Sequence, residues 1–195
     1  MKSLEFISYA SIAVIAVSLF FIGTELTGFA TVNDTGVVNV TIATSAALNF
    51  STALLDFGSG AVTSGEAGAT LSSVGAGSTT GGSWVPQPGQ LILENIGNIN
   101  VTLNLTSNKT VDDFIGGTLP TFKAIVTDNE TGSCNGTQSF STLTDISTNQ
   151  QIACDIFGYA AAADTINIDF QIYIPVDAVG AKTIGIVATG EYTPV

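Results

Sequence analysis

Eight of the twelve asparagines in this chain, Asn33, Asn39, Asn49, Asn100, Asn104, Asn108, Asn129 and Asn135, stand two residues before a serine or threonine with no proline between. That is the acceptor pattern for an N-linked glycan. Serine and threonine make up a little over one-fifth of the chain, so chance alone would give roughly two or three such sites. The excess has two readings. Strands favour threonine, and a strand's two-residue period can generate the pattern on a Thr- and Asn-rich outer face. A glycan coat is the functional reading, because bulky, hydrophilic sugar protects a surface that has little charge of its own.

The rest of the inventory excludes more chemistry than it offers. The chain has no histidine and a formal charge of −12, and its only basic side chains are Lys2, Lys109, Lys123 and Lys182. Without histidine, Ser-His-Asp and Cys-His catalysis and ordinary zinc sites are not available. Four lysines cannot build the cationic surface that nucleic acid requires. Asp128-Asn129-Glu130 and Asp112-Asp113 are acids of the kind that bind calcium, but no D-x-[DN]-x-[DN]-G loop contains them, and acids in turns are usually solvated. The expectation is a protein that is not an enzyme, takes no cofactor and has no nucleic-acid partner. Cys134 and Cys154, twenty residues apart in Thr- and Ser-rich sequence, are expected to form one disulfide in an exported chain.

These residues need elements to carry them. Residues 1–30 hold one lysine near the start, an apolar run from Phe6 to Ile22, and a short polar stretch ending Gly28-Phe29-Ala30. That is the order of a secretory signal peptide cut after Ala30. The run is also nearly long enough to serve as a retained membrane anchor. A helix packed in a pilus core is a third reading, although Ser3 stands where a pilin's glycine would be. All three place residues 31–195 outside the cytoplasm.

Beyond residue 30 the chain alternates with period two. In 37–44, Val38, Val40 and Ile42 share one side. In 100–108, Val101, Leu103 and Leu105 share one face, and Asn100, Asn104 and Asn108 share the other with threonines. Residues 47–58, 121–129, 165–176 and 183–193 are further strands, and 165–176 alternates most clearly, through Ile166, Ile168, Phe170, Ile172 and Ile174. The tract 58–83 is so rich in Gly, Ser and Thr that its composition predicts a long mobile loop. About eight strands and no 3.6-residue repeat after Gly23 predict one all-β domain, an immunoglobulin-like or jelly-roll-like β-sandwich preceded by one hydrophobic helix. No acceptor site follows residue 137, so the two closing strands are expected to form a sugar-free side that meets a neighbour.

The segments LENIGNINVTLNLT and FQIYIPVDAVGAKTIGIVATGEYT, behind an early apolar strand and a secretory N-terminus, resemble exported β-sandwich fibre subunits of the TasA/camelysin kind and the archaeal bundling pili related to them. The dense acceptor sites and scarce lysine look more archaeal than bacterial. The resemblance implies assembly into a homopolymer, with a donor strand around Val38, Val40 and Ile42 completing the sheet of the next subunit. The function expected is an N-glycosylated structural protein of the extracellular cell surface. The alternatives are a tethered surface-layer or adhesion domain, partnered by other surface proteins and by the membrane only if the N-terminal helix is kept, or an extracellular ligand-binding module.

Overall fold

The computed structural model describes residues 39–192. The predicted leader, with Asn33 and Val38, lies outside them. Residues up to Ile42 belong to a separate N-terminal unit, of which only 39–42 are described, and the fold below is that of the unit beginning at Ala43.

Eleven strands and one helical turn follow one another: β1 (Leu48–Thr52), β2 (Gly68–Ser72), β3 (Ser78–Thr80), β4 (Leu91–Asn95), β5 (Val101–Ser107), α1 (Val111–Phe114), β6 (Thr121–Asp128), β7 (Cys134–Asn135), β8 (Thr144–Asp145), β9 (Gln151–Phe157), β10 (Thr165–Pro175) and β11 (Ile186–Tyr192). They form two antiparallel sheets. In the larger, β10 pairs along one edge with β6 and along the other with β4 and then β2; β1, β3 and β8 are added outside these. The smaller has the order β11-β5-β9-β7. One core joins the sheets, and the result is an all-β sandwich.

The alternation read in the sequence decides which faces meet. Val101, Leu103 and Leu105 of β5 and Ile166 and Ile168 of β10 have no accessible surface. Phe122 of β6 stacks on Phe170 of β10 with ring centroids 5.2 Å apart, and Phe114 of α1 meets Phe122 edge-on at 5.2 Å. The helical turn was not expected from periodicity, because four residues are too short to show one. Thr110 nucleates it: its hydroxyl accepts from the Asp113 N–H at 3.1 Å and donates to the Asp113 carboxylate at 2.7 Å.

Three expectations are corrected. The tract 58–83 is not a loop throughout, since it contains β2 and β3 and a bridge from Val62 to Gly82. Its small residues are there for close packing: the Trp84 ring lies against Gly60 and Gly82 where a Cβ would collide with it. The strand expected over 37–44 is not one in its described part, because 39–47 has no strand and β1 begins at Leu48. Finally, the two closing strands do not form one side, because β10 is central to the larger sheet and β11 is an edge of the smaller.

Phe170 packs between the sheets in contact with a second ring. Phe170→Ala is expected to lower unfolding free energy by about 3–5 kcal/mol, read as a shifted midpoint in denaturant. A loss under about 1 kcal/mol would show that the aromatic stack does not hold the core.

Candidate functional site

The acceptor asparagines fall into distinct environments. Asn39 is exposed outside any strand, and Asn49 is exposed on β1 opposite Glu94. Asn100 is half-buried at the entry to β5, and Asn108 is exposed at its exit, with its side-chain oxygen accepting from the Gly185 N–H at 2.8 Å. Asn129 and Asn135 are exposed on either side of a tight turn. Asn104 differs from all of these. It lies on the outer face of β5, as its alternation requires, yet only 7% of its surface is accessible. Its ladder partners are Thr189 on β11 and Ile152 on β9. Sequence period places a residue on a face, but it does not say how well neighbouring side chains cover that face.

The turn between Asn129 and Asn135 is built by Asp128. Its two carboxylate oxygens accept from the Gly132 N–H at 2.8 Å and the Cys134 N–H at 3.0 Å, so this acid organises backbone. Beside the turn, Cys134 on β7 and Cys154 on β9 form the expected disulfide, with Cα atoms 5.4 Å apart. Such a bond persists in an oxidising compartment.

At the same end of the sandwich, Asn98 takes hold of the incoming chain. Its side-chain oxygen accepts from the Ser45 N–H at 2.7 Å, its amide donates to the Ala43 carbonyl at 2.9 Å, and its own N–H donates to the Ser45 carbonyl at 2.9 Å. Gly97 permits the approach, because a Cβ there would strike the Ser45 carbonyl. Upstream, Val40 and Ile42 are 83% and 80% exposed. Unlike the exposed Asn98, the Asn95 amide is buried; it donates to the Ile99 carbonyl at 3.0 Å and the Phe157 carbonyl at 3.3 Å, tying β4 to β9 in the other sheet. Gly97-Asn98 reads in the sequence as a turn, but the roles of Asn95 and Asn98 were missed, since neither begins an acceptor pattern and the partners Ser45 and Phe157 are distant in the chain.

Among the described residues, β11 is the longest strand with one edge unpaired: its seven residues pair only with β5, and the other edge strands have five residues or fewer. Ser73, buried where β2 meets β10, donates to Asp169 at 2.9 Å while its oxygen accepts from the Phe170 N–H at 2.9 Å, which makes it a clasp between strands. At the far end, Leu119 is 83% exposed with φ 57°, on a loop held by the Asp177 carboxylate, which accepts from the Thr118 N–H and hydroxyl. Those bonds keep the Asp177 pKa below its usual range. Among the described residues no helix is long and apolar enough to cross a membrane.

Among the described residues the arrangement defines a disulfide-bonded β-sandwich with sugar-acceptor patterns on its surface, main chain at Ala43 and Ser45 clamped by Asn98, and one sheet edge that no described strand pairs. No protein-family model, characterised protein or solved structure matches the chain.

Two outcomes test these contacts. Replacing both cysteines, Cys134→Ala with Cys154→Ala, is expected to cost about 3 kcal/mol through the freed unfolded chain, read in denaturant titrations; an unchanged midpoint would contradict it. Partial burial and the neighbouring Glu130 and Glu94 push the Asp164 pKa up, while the Asp164 N–H, donating at 3.1 Å, pulls that of Glu130 down. A raised carboxyl stabilises the fold below its unfolded pKa and loses that contribution as pH rises through the folded one. Asp164→Asn is therefore expected to raise the melting midpoint at pH 7 and to lose that advantage near pH 3. A variant no more stable than the parent at pH 7 would refute the like-charge contact.

Proposed function

We propose that this chain is an N-glycosylated structural protein of the extracellular cell surface, a filament subunit that assembles through the strand-forming segment 37–44. The observation that carries the reading is a mismatch. The segment has the period of a half-buried strand, yet its described residues pair with nothing as a strand and expose Val40 and Ile42 to water. A segment that alternates without a sheet of its own suits the sheet of a second copy. Among the described residues the second edge of β11 is unpaired and offers such a sheet, with the main-chain donors and acceptors of about half of its seven residues turned to that side. Contacts of this head-to-tail kind propagate into fibres when the rotation between subunits does not close a ring.

The surface chemistry supports the same reading. Charged residues are one-tenth of the chain, so solubility outside the cell would depend on hydroxyls, amides and attached sugar more than on ionic groups. The disulfide suits an exported protein.

Burying two such side chains on assembly would contribute roughly 3–6 kcal/mol. The full chain carrying Val40→Asp and Ile42→Asp is expected to lose sedimentable polymer by more than about 100-fold while keeping the denaturation midpoint of the folded body. Polymer in undiminished yield from the double variant would overturn the strand-donation reading.

A further inference from the structure

We infer that the fold selects among the sugar acceptors: Asn49, Asn129 and Asn135 carry glycan and Asn104 stays bare. The inference rests on the glycoprotein reading above and specifies which acceptors of that surface work.

Transfer joins the asparagine side-chain nitrogen to the anomeric carbon of a sugar activated on a polyprenyl phosphate or diphosphate. The bond between that carbon and the phosphate oxygen breaks, the phosphate leaves with the electron pair, and the nitrogen gives up one proton. The nitrogen must therefore be reachable, one of its two N–H groups must be dispensable, and the sugar must have a path to solvent.

Asn129 and Asn135 meet all three conditions. Each is exposed, and each uses one N–H in a local bond, to the Thr165 hydroxyl at 3.1 Å and to the Gly132 carbonyl at 2.7 Å. Substituting the other N–H leaves these bonds in place. The third residues of their patterns, Thr131 and Thr137, are exposed as well. Asn49 projects to solvent from β1, and its partner strand β4 carries the half-buried Glu94 opposite it.

Asn104 fails the first and third conditions. It is 7% accessible in the middle of a strand paired on both edges, and Thr106 beside it is half-buried. Exposing its nitrogen requires the outer-face side chains around it to move aside, with Thr189 and Ile152 its neighbours across the ladder, on a central strand of the kind that opens least.

These three acceptors lie toward the end of the sandwich where Asn98 binds Ala43 and Ser45. Asn49 is paired beside Asn95, and Asn129 adjoins Thr165 at the start of β10. Asn135 is one residue from Cys134, which lies opposite Phe157, and the Phe157 carbonyl accepts from Asn95. Sugar on these three therefore gathers at that end, while the middle of β5 around Asn104 carries none of its own.

The test is a glycopeptide map of the full chain purified from its native cell surface, with occupancy measured at each asparagine. Sugar is expected on Asn49, Asn129 and Asn135, with occupancy at Asn104 lower by at least ~10-fold. Comparable occupancy at Asn104 would overturn the inference and leave the glycoprotein reading intact. Sugar absent from Asn49, Asn129 and Asn135 but present at other acceptors would do the same. A chain with no sugar at any acceptor would overturn both.

Discussion

The larger sheet depends on β10, whose two edges are both hydrogen-bonded. Over Ile166–Tyr173 it pairs with β6 on one side, while on the other Thr165–Ile168 pairs with β4 and Gln171–Pro175 with β2. The outer strands are attached through these neighbours: β1 through β4, β3 through β2 and β8 through β6. A one-residue slip in β10 would turn Ile166, Ile168, Phe170 and Ile172 from the core to water. Register is therefore strongly enforced where it matters most, and strand pairing and core packing specify the same alignment.

Less obvious bonds hold the two sheets and their turns together. The Asn95 amide crosses from β4 to the end of β9, and its satisfied donors and acceptor make a buried polar group tolerable in an apolar setting. Nearby, Asp128 shapes the turn before Cys134, and the disulfide fastens that turn to β9. One end of the molecule is thus tied by an amide, a carboxylate and a covalent link. At the same end Asn98 holds the main chain of Ala43 and Ser45.

That rigidity bears on function. Charges are few and histidine is absent, so the polar surface is made mostly of hydroxyls and amides. Among the described residues the extended features are the exposed apolar pair at Val40 and Ile42, the edge of β11 that no described strand pairs, and the asparagines of the acceptor patterns. Main-chain pairing and covalent sugar both act through such repetitive surfaces, and neither needs a concave site.

Much of this was legible in the residues alone. Period-two runs marked β5, β6, β10 and β11 within a few residues and named the buried faces of β5 and β10, because side chains must alternate in a strand whatever the strand order. The cysteine pair and the acceptor patterns were likewise visible, being local in sequence. What needed the tertiary structure was everything set by contacts between distant segments. Composition alone made 58–83 look like loop, since the use of its glycines, close packing under Trp84, depends on a partner elsewhere in the chain. Alternation alone put Asn104 on an outer face, and only the flanking strands β9 and β11 bury it there. The segment around Val40 has the pattern of a strand, but a strand exists only where another supplies its hydrogen bonds. Period therefore determined which way side chains point within a strand, and tertiary pairing decided which strands form and which faces are covered.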